Sequence, residues 1–330
     1  MKIAYYLPEK VISNIELAAL YEGWSEEKIL SKTGISSRHV VDENETALDL
    51  AEKASKKLFE EYQILPNQID FIILCTQSPD YKLPTSACIL QNRLGIPTSV
   101  GALDYNLGCS GFIYGLTLAK GLILSGTARN ILLVTAETYS KYIHSHDKSV
   151  RTIFGDGAAA ALIDEATVDG IGAFTLGTDG SGYEHLIVPT GGAKATVVHN
   201  AAEEVDKSEN IRTQNNLFMS GLDIFNFTLQ IIPTTMEEVL AKNNLTQDDV
   251  DLFVFHQANK FMLDTIRKTN LIPRKKFYVN MEDIGNTVSA SIPIALKRAE
   301  ADGVLREGMR VMVVGFGVRL SWGATILTWK

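Results

Sequence analysis

The sequence predicts an α/β protein built from two related halves, and three observations carry that prediction. Short apolar, β-branched runs alternate with amphipathic helical stretches. The runs lack polar alternation, the pattern of parallel strands buried on both faces. Segments of the first half return in the second at nearly one offset. With 330 residues, the chain is long enough for about two domains of ordinary size.

In chain order, residues 46–63 place apolar side chains at helical spacing from a start at Thr46. Residues 69–75 (IDFIILC), 131–136 (ILLVTA), 250–255 (VDLFVF) and 311–316 (VMVVGF) read as buried strands. The stretch 64–75 aligns with 245–256 at an offset of 181, and 131–134 aligns with 311–314 at 180. The segment opening at Gly108 and Cys109 aligns with the one containing Ser289, again at 180. Residues 154–158 and 321–324 share a glycine turn that feeds a strand. Matches in one order at nearly one offset predict a duplicated unit, divided as residues 1–168 and 169–330. Ligands gather beyond the carboxyl ends of strands in such sheets, so functional side chains are expected where equivalent strands end.

Composition narrows the function. Lys plus Arg number 31 against 39 Asp plus Glu, a net charge of −8 that disfavours a general nucleic-acid binder. The opening MKIAYYLPEK breaks its apolar run at Pro8, Glu9 and Lys10, unlike an export signal. The uncharged stretch 105–119 falls short of the roughly 20 apolar residues a membrane span needs. These features predict a cytoplasmic protein with no membrane partner. Three cysteines are too few, and odd in number, for a disulfide framework. Cys75 and Cys88 read as buried structural thiols.

Cys109 lies among Gly108, Ser110 and Gly111, directly before an apolar helical stretch. The positive end of a helix lowers a thiol pKa, and flanking glycines let a substrate carbonyl approach backbone N–H donors. The same segment also fits a small thiol packed beneath a helix. His256 ends a strand run, a place where histidines are often satisfied core residues. Asn286 follows Gly285 before a helical run, where a turn with a helix cap is the plainer reading. Each signal is modest alone; the three together are not.

Together these segments resemble the β-ketoacyl-acyl-carrier-protein synthase III family, condensing enzymes of the thiolase superfamily. The resemblance runs through YLPEKVISN at 6–14, KTGISSRHV at 32–40, the cysteine segment, FGDGAAAALI at 154–163 and DGS at 179–181. It continues through FHQAN at 255–259, GNTVSASIPIAL at 285–296 and GFGVRLSWGA at 315–324. It implies a thiolase-like fold, two α/β halves in αβαβα layers, assembled as a homodimer without a bound cofactor or metal. Substrates would ride on the phosphopantetheine of acyl carrier protein or coenzyme A. Cys109 would carry the acyl group as a thioester, while His256 and Asn286 hold the malonyl thioester oxygen during decarboxylation. Phe316 would keep the site dry, and the 315–319 loop, with Gly317 and Val318, would line it and supply an oxyanion N–H. The resemblance thus implies decarboxylative condensation of an acyl group with malonyl-acyl-carrier protein, in fatty-acid or related secondary-metabolite biosynthesis. The alternative is acyl transfer or thioester hydrolysis through the same acyl-Cys109.

Several positions depart from the family pattern. The adenine-stacking tryptophan aligns with Lys28, because Trp24 stands four residues too early. Two arginines become Lys32 and Lys148, and a third becomes Phe261. Lysine meets phosphate as a point charge but loses the bidentate fork, which favours a carrier-bound donor over coenzyme A. Val318 and Arg319 replace two glycines, and Leu83 replaces a phenylalanine that reaches across the dimer interface. These changes predict a specialised paralogue. Between Lys260 and Lys276 stand six basic residues against the single acid Asp264. That block reads either as a dock for an acidic carrier or as a solvated helix end. The resemblance favours the dock, with Asn259, Lys260 and above all Lys268 in contact. His144, His146 and Asp147 form a weak metal-like cluster, read as no metal site.

Overall fold

The computed structural model describes residues 1–317 and 321–330. Its first half runs β1 (Lys2–Tyr6), α1 (Ala47–Tyr62), β2 (Phe71–Cys75), α2 (Ser86–Arg93), β3 (Gly101–Tyr105), α3 (Gly111–Leu124), β4 (Asn130–Glu137) and β5 (Gly157–Asp164). The second half repeats the series. It runs β6 (Ile171–Thr178), α4 (Gly221–Lys242), β7 (Leu252–Phe255), α5 (Lys260–Thr269), β8 (Phe277–Tyr278), α6 (Ser291–Ala301), β9 (Arg310–Phe316) and β10 (Ser321–Thr328).

The two sheets have the same strand order, β1-β5-β4-β2-β3 and β6-β10-β9-β7-β8. Their pairings also match. β4, β2 and β3 are parallel, as are β9, β7 and β8, while β5 and β10 run antiparallel to both neighbours. Even the register repeats: Ile73 pairs with Leu103 and Leu133, and its equivalent Val254 with Tyr278 and Val313. Five layers result. α1 and α2 cover the outer face of the first sheet, and α4 and α5 that of the second. α3 and α6 fill the space between the sheets.

Sequence explains which helix goes where. α1 is amphipathic, burying Leu50, Ala54 and Leu58 and exposing Lys56, Lys57 and Glu60. It starts at Thr46, whose hydroxyl accepts from the Asp49 N–H, and the Asp49 carboxylate returns the bond. α3 (GFIYGLTLAKGLIL) is apolar on nearly every side, as a helix between two sheets must be. Its start can press against both sheets because glycine stands there. A Cβ on Gly111 would lie 2.4 Å from Cys75 Sγ, and one on Gly315 2.8 Å from Ser110 Cα.

Cys88 corrects one expectation. It is exposed rather than buried, because α2 turns Ala87 and Leu90 inward and the intervening position outward. Among the described residues, no helix is long and apolar enough to cross a membrane.

Candidate active site

The ends of equivalent strands and the starts of the two central helices meet at one cavity of about 200 Å³. Cys109, His256, Asn286 and Phe316 all line it, although they are far apart in sequence. Cys109 precedes α3, after a turn in which the Gly111 N–H donates to the Gly108 carbonyl at 2.8 Å. Ser110 behind it bonds the Ser321 hydroxyl at 2.6 Å, tying this turn to the second sheet.

His256 follows β7 and is held by its N–H donating to the Val314 carbonyl at 2.9 Å. Its Nδ1 lies 2.6 Å from Ser291 Oγ, which also faces the Gln257 N–H at 3.4 Å. When the Ser291 hydroxyl donates to Nδ1, Nε2 carries the imidazole proton. Asn286 is pinned on both sides: its N–H donates to Ile153 O, and its carbonyl accepts from the Gly155 N–H. Its side-chain Oδ1 accepts from the Val288 N–H at 2.9 Å, so its amide nitrogen faces His256 Nε2 at 3.4 Å. In that tautomer two N–H donors lie side by side in the cavity. The Phe316 ring meets the imidazole edge-on, with centroids 5.4 Å apart.

Val288 has φ 55, a conformation a β-branched residue rarely adopts. Such strain costs about 1–3 kcal/mol and persists only where neighbours enforce it.

Burial sets the electrostatics. It pushes the Cys109 thiol up to about 12, with the Glu137 charge adding to the shift. The sequence expectation of a lowered thiol pKa therefore gives way. A helix terminus supplies at most about 2 kcal/mol, whereas full burial shifts a pKa by as much as 3–5 units. His256 is pushed down to about 3 by burial and is neutral at physiological pH. Glu137, at the end of β4, is pushed up to about 8 by burial, against hydrogen bonds from Ser289, Gln77 and Ser78. Cys75 donates to the Leu107 carbonyl at 2.8 Å, and burial drives its thiol well above the usual range.

The other residues singled out in the sequence are spread more widely. Asn259 lines the cavity and caps α5, its side chain accepting from the Met262 N–H at 2.9 Å. Gly317 donates its N–H to Ser321 O at 2.8 Å, so that donor is committed; Val318 and Arg319 lie outside the described residues. Leu83 is 82% exposed and does not line this chain's own cavity. Lys28 and Lys32 both stand over the Trp24 ring, each 5.0 Å from its centroid. Trp24, four positions early in sequence, is thus in space the neighbour of both lysines. Lys148 Nζ donates to the Glu209 carbonyl at 3.3 Å and lies 3.8 Å from its carboxylate. Lys260 pairs with Asp264, while Lys268 is exposed on α5. Asp147 pairs with Arg212 at 2.9 Å, and His144 lies 3.3 Å from Glu203. Sequence reasoning missed Ser291 and Glu137. Ser291 sits inside the quoted GNTVSAS segment, and Glu137 is the lone acid after the apolar run 131–136, itself a signal of a buried charge.

This duplicated, five-layered fold, whose cavity is lined by a cysteine, a histidine and an asparagine, is that of the thiolase-type condensing enzymes. Residues 240–329 match the family model for the C-terminal part of 3-oxoacyl-[acyl-carrier-protein] synthase III, and residues 103–180 match a second model of the same enzyme. A β-ketoacyl-[acyl-carrier-protein] synthase III of Caldanaerobacter subterraneus subsp. tengcongensis is 37% identical over 98% of this chain and 96% of its own. A crystal structure of a 3-oxoacyl-(acyl-carrier-protein) synthase III superposes with a TM-score of 0.96 at 51% identity, covering 99% of this chain and 98% of that one. The Thermus thermophilus β-ketoacyl-[acyl-carrier-protein] synthase III superposes at 0.86 with 36% identity, covering 99% and 98%. The chain belongs to the β-ketoacyl-acyl-carrier-protein synthase III family of condensing acyltransferases.

Proposed function

We propose that the protein joins an acyl group, held on Cys109, to a malonyl unit delivered on acyl carrier protein. The observation that carries this reading is the donor pair, His256 Nε2 and Asn286 Nδ2, 3.4 Å apart in the cavity that also holds Cys109. Cys109 Sγ attacks the donor thioester, its proton leaves with the departing thiol, and the acyl-enzyme remains. The malonyl thioester then takes its place. Its C–C bond to the carboxylate breaks, carbon dioxide departs, and the electron pair becomes an enolate whose oxygen rests between the two N–H donors. The enolate carbon attacks the acyl-Cys109 carbonyl, and collapse of that adduct expels the Cys109 thiolate, which takes up one proton from solvent. Neutral His256 suits donation better than proton removal, and the Phe316 ring beside it favours loss of uncharged carbon dioxide from a dry site.

The division of labour between residues 1–168 and 169–330 belongs to this reading: the first part supplies the nucleophile, the second the donors. Lys260 and Lys268, on α5 beyond Asn259, receive the acidic carrier protein. Lys148 tied to Glu209, and Trp24 covered by Lys28 and Lys32, support a carrier-bound acyl donor over coenzyme A. Together with Leu83 and Phe261 they support a specialised paralogue. Exposed Leu83 and Tyr81, near the edge strand β3, support a homodimer in which Leu83 reaches the other subunit's acyl pocket.

Intact-mass measurement tests the reaction. Incubation with acyl-carrier and acyl-coenzyme A donors should add one acyl mass to Cys109, and malonyl-carrier should then discharge it as a β-ketoacyl product. Acylation that never proceeds to a β-ketoacyl product with any extender refutes condensation.

A further inference from the structure

Glu137 is wholly buried behind Cys109, and nothing in the proposed reaction uses it. Every bond it makes is to a segment that shapes the site. Its Oε1 is hydrogen-bonded to the Ser289 hydroxyl at 2.6 Å. Its Oε2 accepts from the Gln77 N–H at 3.0 Å and from the Ser78 hydroxyl at 3.1 Å. The Ser78 oxygen in turn accepts from the Thr138 N–H at 2.8 Å. Glu137 therefore links the loop after β2 in the first half to a turn in the second half.

That turn carries one donor of the pair and the partner that holds the other. Within 286–291, Asn286 presents its amide, Val288 orients that amide through its N–H, and Ser291 holds His256 Nδ1. Ser289 is the anchor between them, directly after the strained Val288. A left-handed β-branched residue relaxes unless its neighbours enforce it. Relaxation here would turn the Val288 N–H away from Asn286 Oδ1 and free the amide to rotate.

We infer that Glu137, acting through Ser289, is a positioning residue that holds the Asn286–Val288 turn so that Asn286 and His256 face one enolate oxygen. This rests on the condensation reading above. It separates the two half-reactions: acylation of Cys109 does not use the donor pair, whereas decarboxylation does. Misplacing a catalytic donor by about 1 Å costs up to about a hundredfold.

Both half-reactions should be measured on Ser289→Ala, Glu137→Gln and the double variant, with melting curves as a check on folding. Acylation is read by intact mass, and decarboxylation by carbon dioxide release from malonyl-carrier protein. Ser289→Ala should lower kcat for decarboxylation about ten- to hundredfold. Its KM and acylation rate should stay within about twofold. The double variant should lose no more than the worse single variant, since both act through one bond. A parallel fall in both half-reactions, or additive losses, would overturn the assignment. If Ser289→Ala decarboxylates at the wild-type rate, it is overturned as well. If the wild type itself releases no carbon dioxide from malonyl-carrier protein, the condensation reading fails and takes this inference with it.

Discussion

The two halves share strand order, pairing and register, yet equivalent positions do opposite things. At the start of α3 stands Cys109, lining the cavity; at the matching start of α6 stands Ser289, bonded away to Glu137. At the end of β7 stands His256, open to the cavity; at the end of β2 stands Cys75, bonded to a backbone carbonyl. A duplicated backbone thus offers four positions, and side chains assign two of them to chemistry and two to support. Fold supplies the places, while the individual residues decide the reaction.

The largest expected effect comes from erasing the difference between the helix starts. Cys109→Ser should abolish acyl-enzyme formation, lowering turnover at least about a thousandfold. Intact mass reads the missing adduct; an unchanged adduct would place the nucleophile elsewhere. Erasing the difference between the strand ends should split the reaction instead. His256→Ala or Asn286→Ala should keep Cys109 acylation and lower carbon dioxide release about 10²–10³-fold. Equal losses in both steps would deny the second half its separate role. A smaller effect is expected at the rim. Lys268→Glu should raise KM for carrier-bound substrate by about tenfold and leave a small soluble thioester unaffected. Equal losses with both substrates would remove α5 as the dock.

The smallest effect is on stability, and here the halves should differ in sign. Buried His256 stays neutral down to about pH 3, while an unfolded chain takes up its proton near 6.5. Stability from this group is lost as pH falls from 6.5 towards 3. Buried Glu137 keeps its proton up to about pH 8, while an unfolded chain gives it up near 4.5. Its contribution is full below 4.5 and lost as pH rises through 8. Melting temperatures of wild type and Glu137→Gln between pH 4 and 9 should show a flatter alkaline side in the variant. An identical slope would remove Glu137 from that limb.

Much of this architecture was legible because parallel strands buried on both faces are written as uninterrupted apolar runs. Residues 311–316 became β9 with one residue added at its start, and 131–136 became β4 with one added at each end. β1 and β3 were not read, since KIAYY and GALDY mix polar and apolar residues without either period. Cys109, His256 and Asn286 stood out by residue type and setting, and the structure gathers them at one cavity. Ser291, Glu137 and Val288 did not stand out. A serine's partner 35 residues away, a buried acid's three partners and a positive φ all depend on contacts made only after folding. The thiol pKa failed for the same reason: the helix start is visible in sequence, but the burial that outweighs it is not.

The apolar sides of α3 set a timetable for synthesis. One side is covered by strands of its own half, complete by Asp164, but the other waits for β9 and β10, which end at Thr328. At about 5–20 residues per second, the roughly 160 residues between those points take about 8–30 s to emerge. Throughout that interval Phe112, Ile113 and Leu116 face no second sheet. The nucleophile's own helix is thus an exposed apolar surface of the nascent chain until its other wall is made.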